Sequence, residues 1–200
     1  MMNIRLLAGC IAAVIAAATA MAQSPPTRLR GSIAANDGKT VTIATREGTQ
    51  VPVKLADNWG VMLVSPVSMA DIKENSFVGI ASMKGPDGLN ALEVLVFPEA
   101  ARGTGEGHYP WDLQPESMMT NATVATVAKS PDGDVLTLKY KDGTQTIKVK
   151  PGTPIVTFAP GDKADAKVGA KVFLGATKDA DGNLTAGRLL VGKDGTAPPM

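Results

Sequence analysis

The sequence DGKTVTIATREGTQ at residues 37–50 recurs as DGDVLTLKYKDGTQ at residues 132–145. Each copy begins with an Asp-Gly turn, continues as a run in which apolar and polar residues alternate, and ends in a second turn that contains glycine. Alternation with a period of two is typical of a β-strand with one buried face, and glycine supplies the positive φ that tight hairpin turns require. The two copies therefore predict an all-β unit that occurs twice.

The similarity extends along the chain at a constant offset of 94 to 95 residues. Its further matching segments are residues 70–73 with 164–167, 86–88 with 180–182, and 95–96 with 190–191. A repeat of this length predicts two tandem domains, residues 28–98 and 121–193, separated by a junction segment rich in Gly and Pro at residues 99–120.

Each repeat contains several short strand-like runs and one short helical turn before its fourth strand, at residues 68–75 and 161–168. This order favours a small closed or nearly closed barrel of the five-stranded oligonucleotide/oligosaccharide-binding (OB) type, because closure removes exposed strand edges. The predicted fold class is all-β, with two tandem OB-like β-barrels after a cleaved signal peptide. A pair of small sandwiches is the alternative.

The N-terminus has the features of a secretory signal peptide. Arg5 precedes an apolar run at residues 6–18, and Ala-Met-Ala at residues 20–22 is a small-x-small cleavage site. We expect cleavage after Ala22 and a periplasmic mature protein. Retention as an anchor and acylation at Cys10 are the alternatives. Cys10 is the single cysteine, so the mature chain has no thiol for disulfides, metal binding or catalysis.

The balanced charge and the absence of known catalytic motifs argue against several classes of function. Removing residues 1–22 takes away one basic residue, Arg5, and leaves 19 basic and 19 acidic residues in the mature chain. A balanced charge and few aromatic residues argue against a nucleic-acid partner. After Ala22 no apolar run is long enough to span a membrane. No nucleophile elbow and no phosphate-binding loop occurs, so we expect a protein that is not an enzyme.

Four segments resemble a family of exported bacterial proteins of unknown function that carry small OB-like barrels. They are RGSIAANDGKTVTIATREG, ADIKENSFVGIAS, ALEVLVFPEAARGTGEGHYPWDL and MTNATVATV. The similarity covers nearly all of the mature chain, and RGTGEGHYPWDL is its most specific part. Some members are labelled metal transporter permeases, which this sequence contradicts because it has no transmembrane bundle. The resemblance implies the fold and brings no catalytic residues.

The junction segment holds the single histidine of the chain and one of its two tryptophans. One interpretation is a divalent-metal site in which Glu106, His108 and Asp112 converge, although a zinc site normally uses more than one His or Cys. The other is a structural crossover in which Tyr109 and Trp111 fill the seam between the barrels. We expect no obligatory cofactor.

Candidate ligand or partner-binding residues are Arg102, His108, Tyr109, Trp111 and Trp59. Trp59 follows a turn-like Asp-Asn pair and is either an exposed stacking platform or part of the core. The expected function is binding or scaffolding in the cell envelope, with a protein, a glycan or a small ligand as partner. The alternative is a metal-binding accessory of an envelope transport system that uses His108.

Two further motifs have simple interpretations. Met118 and Met119 are soft copper ligands by chemistry, but adjacent methionines more often fill gaps in apolar packing. Residues 179–183, DADGN, begin like a calcium loop. The twelfth position of that loop would be Leu190 instead of a bidentate Glu, so a hairpin turn is the prediction.

Overall fold

The computed structural model describes residues 26–199, and this part of the chain is all-β. Its twelve strands are β1 (Thr27–Asn36), β2 (Thr40–Thr45), β3 (Gln50–Pro66), β4 (Phe77–Gly85), β5 (Gly88–Val96), β6 (Gly107–Pro110), β7 (Met118–Ala128), β8 (Asp134–Tyr140), β9 (Gly143–Val149), β10 (Ile155–Gly161), β11 (Lys171–Lys178) and β12 (Leu184–Gly192). Short 3-10 helices lie at Met69–Asp71, Glu99–Ala101, Lys163–Asp165 and Lys193–Gly195. The predicted signal peptide and Cys10 lie outside the described residues.

The turns between consecutive strands are those that the sequence predicts. Gly38 between β1 and β2 has φ of 83°, and Gly48 between β2 and β3 has φ of 84°. This left-handed conformation is one that glycine adopts without a steric penalty, which suits the Asp-Gly and Glu-Gly pairs of these two turns. The predicted helical turns are single 3-10 turns, the first preceding β4 and the second preceding β11.

Five strands close into a first barrel, called barrel A. Strand β1 pairs antiparallel with β2 and β11, β2 with β3, and β11 with β12. A parallel pairing between β12 and β3 completes the circuit. Barrel A is therefore a closed five-stranded β-barrel with the strand order 1-2-3-12-11.

A second circuit, called barrel B, has the same pairing scheme. Strand β7 pairs antiparallel with β4 and β8, β8 with β9, and β4 with β5. A short parallel pairing between β5 and β9 completes it. The two barrels therefore share one topology, as the sequence repeat predicts.

The barrels are nevertheless not consecutive along the chain. Barrel A takes three strands from the first repeat and two from the second, and barrel B takes two from the first and three from the second, while β10 lies between the two circuits and pairs with β3 and β5. The predicted division into 28–98 and 121–193 describes the sequence repeat but needs correction as a description of the barrels. Each repeat gives its last two strands to the other barrel, so the chain has an intramolecular strand exchange.

The exchange occurs where β3 and β10 cross the boundary between the barrels. The second half of β3 pairs antiparallel with β10, with Leu63 opposite Ala159 and Val64 opposite Phe158. With the repeat offset of 95 residues, Leu63 corresponds to Phe158 and Val64 to Ala159. Exchanging the two repeats therefore converts the pair Leu63–Ala159 into the pair Phe158–Val64. This ladder therefore contains an approximate two-fold axis. Because β3 continues as one strand to Pro66 and pairs there with β10, the chain passes from barrel A towards barrel B instead of closing a local barrel.

Three apolar cores correspond to this architecture. The core of barrel A is built around Ile33, Val41, Ile43, Val53 and Leu174, together with other inward residues of the same strands. The core of barrel B includes the fully buried Ile80, Leu136, Leu138 and Ile147. A small third core joins the barrels around the two-fold axis, with Val64, Leu95 and Val156 buried and Phe97, Phe158 and Leu190 packed against them.

Within residues 26–199, no helix combines the length and the apolar character that a membrane-crossing helix needs.

Candidate functional site at the junction between the barrels

The junction segment (residues 99–120) is attached to barrel B by strand β6. Residues Gly107–Pro110 pair antiparallel with the beginning of β7, so that Gly107 lies opposite Asn121 and Pro110 opposite Met118. Pro110 has no N–H to donate, which suits the end of a short edge strand. Before β7 begins at Met118, the segment therefore forms one 3-10 turn and the short strand β6.

From β6 the segment reaches across to barrel A. The guanidinium carbon of Arg28, on β1, lies 3.8 Å from the centroid of the Trp111 ring. The turn that follows is held by Ser117, whose hydroxyl donates to the carbonyl of Trp111 and whose carbonyl accepts from the Trp111 N–H. The indole Nε1 of Trp111 is buried and makes no hydrogen bond within the described protein atoms. Trp111 thus packs at the seam between the barrels.

Asp112 forms a second connection between the junction segment and β1. Arg30 Nη2 donates to Asp112 Oδ1 over 2.8 Å, and Arg28 Nη1 lies 3.6 Å from Asp112 Oδ2. The Arg30 side chain is 11% exposed and that of Asp112 is 46% exposed, so the pair lies at the rim of the seam. Burial acts to raise the pKa of the Asp112 carboxyl, but the hydrogen bond from Arg30 and the charges of both arginines outweigh it and keep the pKa below its usual value.

A buried polar cluster supports the start of the segment. The amide nitrogen of Asn121, on β7, donates to the carbonyl of Thr104 over 3.0 Å and to the hydroxyl of Tyr109 over 3.3 Å. The glycine opposite, Gly79, leaves room for this side chain, because a Cβ there would lie 2.6 Å from Asn121 Oδ1. The rings of Tyr109 and Trp111 are 6.1 Å apart in an edge-on arrangement. The cluster therefore fixes the direction in which the segment leaves barrel B.

His108 faces barrel B. Its Nδ1 is hydrogen-bonded to the hydroxyl of Thr120 over 2.8 Å, and its ring stacks on Tyr140 at a centroid distance of 6.4 Å. Burial lowers the pKa of His108, because surroundings of low polarity disfavour the charged imidazolium. These contacts place His108 in a structural role beside the barrel B core.

The predicted metal ligands do not meet at one point. Glu106 Oε1 accepts a hydrogen bond from the backbone N–H of Lys141, His108 bonds to Thr120, and Asp112 bonds to Arg30. Within the described residues, no group of three His, Cys, Asp or Glu side chains could hold a metal ion. The three candidates therefore serve three separate contacts.

Arg102 is occupied by neighbouring residues. Its guanidinium makes two hydrogen bonds to the carboxylate of Glu99, over 2.6 and 2.7 Å, and Nη2 also donates to the carbonyl of Asn75. The carboxylate of Glu99 raises the pKa of Arg102, and the hydrogen bonds from Arg102 lower the pKa of Glu99. Arg102 thus ties the 3-10 turn after β5 to the loop before β4.

Trp59 belongs to the core of barrel A. It is 6% exposed, and its indole Nε1 donates to the carbonyl of Gly38 over 3.2 Å. An exposed stacking platform at this position is therefore wrong, and the alternative of a core residue is correct. The ammonium of Lys163 lies 4.8 Å from the ring centroid on its outer side.

The other two motifs follow their simpler interpretations. Met119 is buried in β7 at 3% exposure, and Met118 is half-buried beside it. In residues 179–183 the Asp179 carboxylate accepts from both the backbone and the side-chain amide of Asn183, which closes the hairpin turn between β11 and β12.

Sequence reasoning did not identify Arg28, Arg30 and Asn121 as site residues. The sequence shows only that the two arginines lie two apart on a strand and therefore point to the same face. Nothing in the sequence indicates that the partner of Arg30 lies 82 residues later, at Asp112.

No family model matches this chain, and no curated protein or solved structure is significantly similar to it.

Proposed function

We propose that this protein is a non-enzymatic binding or scaffolding module of the bacterial periplasm, in which the junction segment holds the two barrels as one rigid unit. The observation that supports the proposal is the double contact of the segment. It is a strand of barrel B through β6, and it contacts β1 of barrel A through Trp111 and Asp112. A segment held at both ends fixes the orientation of one barrel relative to the other.

The exposed tip of the segment suits recognition of a partner. Residues Gln114, Pro115 and Glu116 are exposed, and they stand on a turn that Ser117 holds through three hydrogen bonds. A rigid, exposed loop loses little conformational entropy on binding, which favours affinity. We propose this tip as the contact surface for an envelope protein, a glycan or a small ligand.

Export is the first part of the proposal to test. Cells that express the full chain are fractionated by osmotic shock, and the N-terminus of the recovered protein is determined by mass spectrometry. A periplasmic protein that begins at Gln23 supports the proposed location. A protein that stays in the cytoplasm with residues 1–22 attached contradicts it.

The contact surface is tested by photo-crosslinking in living cells. A photoreactive residue replaces Gln114 at the tip in one variant and Lys150, exposed on barrel B, in the control variant. Discrete adducts from position 114 that are missing from position 150 support a partner at the junction. Identical patterns from both positions contradict it.

A further inference from the structure

A groove in barrel A lies away from the junction segment. It has a volume of about 580 Å³, which is within the range of small-ligand sites. The turn between β1 and β2 forms one wall, the turn between β11 and β12 forms the other, and the outer faces of β2 and β3 lie between them. Lining residues with polar side chains are Lys39, Thr40, Lys54, Asp179, Asn183 and Thr185.

Both walls of the groove are fixed by hydrogen bonds. In the first wall the carboxylate of Asp37 accepts from the backbone N–H groups of Lys39 and Thr40, and Trp59 supports the turn from below through its bond to Gly38. In the second wall both carboxylate oxygens of Asp179 accept from Asn183, as described above. The groove is therefore formed in the free protein and needs no rearrangement to accept a ligand.

Two of the lining residues are lysines, Lys39 and Lys54, and the charge of the Asp37 carboxylate in the first wall attracts Lys39. Lys39 and Lys54 form no ion pair with any described residue. Lys54, on β3, lies opposite Thr40 on β2 and opposite Thr185 on β12. The side chain of Lys54 is therefore flanked by the hydroxyl groups of these two threonines. The one carboxylate among the lining residues, Asp179, is held by its own turn.

Barrel B provides an internal comparison. Lys148, on β9, lies opposite Asn90 on β5 in the strand register, just as Lys54, on β3, lies opposite Thr185 on β12. The two lysines therefore occupy equivalent positions in the two barrels. The ammonium of Lys148 lies 3.4 Å from the carboxylate of Asp87 in the turn between β4 and β5.

That turn is short, with β5 beginning at Gly88 only three residues after β4 ends at Gly85, whereas β12 begins at Leu184 six residues after β11 ends at Lys178. In barrel B the short turn therefore holds Asp87 beside Lys148. In barrel A the carboxylate of Asp179 is hydrogen-bonded within its own, longer turn, and Lys54 forms no ion pair with a described residue.

We propose that the groove of barrel A binds a small anionic ligand, with its carboxylate or phosphate group between Lys39 and Lys54. The equivalent position in barrel B does not bind it, because Asp87 already neutralises Lys148. A compact anion with several oxygen acceptors fits two ammonium groups flanked by hydroxyl donors. This site shares no residue with the junction segment, so it is independent of the function proposed there.

The test is an NMR titration of the mature protein, residues 23–200, with inorganic phosphate and separately with citrate, at a constant ionic strength of about 0.15 M so that general screening does not change. We expect saturable shifts of the amide signals of Lys39, Thr40 and Asn183 with at least one of the two anions. The anion that binds more tightly indicates whether the natural ligand carries phosphate or carboxylate. Sodium chloride at matched ionic strength is the reference.

Two matched variants locate the site. Lys54→Gln should weaken binding at least tenfold, and Lys148→Gln should leave it unchanged, since each variant removes one lysine from an equivalent position. Amide spectra of the free variants establish that each is folded. Equal losses in both variants overturn the proposal, because they indicate a general charge effect. The absence of saturation with both anions overturns it as well.

Discussion

The guanidinium of Arg28 stacks on the ring of Trp111, and this contact joins the first strand of barrel A to the segment that leaves barrel B. Arg28 also lies within 3.6 Å of Asp112, so one arginine contacts two consecutive residues of the junction segment. A cation over a tryptophan face is worth roughly 1–2 kcal/mol when it is partly removed from water. Through Trp111 the junction segment therefore adds a contact between the barrels beyond the ladder between β3 and β10.

Replacement of Trp111 by alanine is expected to lower the free energy of unfolding by about 2–3 kcal/mol, because it removes both the half-buried ring and the platform for Arg28. Urea unfolding followed by circular dichroism measures the change. The neighbouring Tyr109 ring also loses its edge-on contact in this variant.

Trp111→Phe is the control for this prediction. Phenylalanine keeps an aromatic face for the arginine and lacks the indole N–H, which makes no hydrogen bond within the described protein atoms. We expect it to lose about half as much stability as the alanine variant. An alanine variant as stable as the wild-type protein would show that the junction segment does not couple the barrels.

The sequence predicts which residues of the junction segment are packing anchors, but it does not predict which residues they contact. The aromatic residues of the junction segment identify Trp111 and Tyr109 as packing anchors, because large rings near Gly and Pro need a surface to cover. Their partners are not predictable from spacing, since Arg28 and Arg30 lie 82 or more residues earlier. The same holds for Glu106, His108 and Asp112, which lie within six positions of one another and contact three different parts of the fold.

Two glycines test the packing of the polar cluster. A methyl group at Gly79 would lie 2.6 Å from Asn121 Oδ1 and 3.0 Å from a ring carbon of Phe97, both well inside ordinary contact distance. Gly79→Ala should therefore cost about 1–3 kcal/mol of unfolding free energy through overpacking and displacement of Asn121. Thermal unfolding by calorimetry gives the comparison with the wild-type protein.

Gly60→Ala is the matched control for Gly79→Ala. A methyl group at Gly60 would meet no heavy atom within 4 Å, and the backbone there is not left-handed. We expect this variant to be unchanged or more stable by about 0.5 kcal/mol, because alanine reduces the entropy of the unfolded chain. Equal destabilisation by both substitutions would contradict the role assigned to Asn121.

His108 should make stability depend on pH. Its pKa in the folded protein is lowered by burial, so in the unfolded chain it takes up a proton at higher pH than in the folded one. The unfolded state then binds more protons below about pH 6.5, and stability falls as the pH decreases through this value. Urea unfolding at pH 7.5 and pH 5.0 should show a lower stability at the acidic pH.

The His108→Gln variant separates this contribution from that of the carboxylates. Glutamine keeps a polar group for Thr120 and does not titrate, so the loss of stability between pH 7.5 and 5.0 should be smaller than in the wild-type protein. The carboxylates whose pKa values are lowered, such as Asp112, lose their contribution at more acidic pH, below their usual range. The same loss in both proteins would exclude His108 as the source.

Zinc is expected to leave the melting temperature unchanged. Glu106, His108 and Asp112 each bond to a different partner, so a metal ion would have to break three contacts to recruit them. Differential scanning fluorimetry with zinc, manganese and copper measures this, since a ligand at 100 times its Kd adds about 2.7 kcal/mol. A saturable increase that is lost in His108→Ala would restore the metal interpretation.

The fold divides into a part that local sequence determines and a part that it does not. Hairpins such as β1–β2 and β8–β9 follow from alternation and turn glycines within a few residues, and they are predicted correctly. The partners of β4 and β5 are not, because the repeats have the same apolar pattern and their last two strands fit either barrel. The choice is made by β3, which continues to Pro66 and pairs with β10, so that the chain passes into the other barrel.

This exchange makes a specific prediction for a chain cut at the exposed Gly103. Residues 23–103 contain β1 to β5 and residues 104–200 contain β6 to β12, so each fragment supplies two strands that the other barrel needs. Mixed in equal amounts, the fragments should form a one-to-one complex with the amide spectrum of the intact protein. Size-exclusion chromatography with light scattering gives the stoichiometry.

Each fragment alone should form a symmetric dimer that exchanges its last two strands, because the second half of β3 and its counterpart β10 present the same edge at the two-fold axis. The alternative is that a single fragment closes its own barrel, which would require β3 to turn back near Leu63. That turn would bury less apolar surface, since it would break the ladder with β10 and open the third core around Val64 and Val156. Fragments that are folded monomers and form no complex when mixed would therefore contradict the exchange. Dimeric fragments that convert to the mixed complex would establish that the boundary strands, and not the repeats, determine how the barrels close.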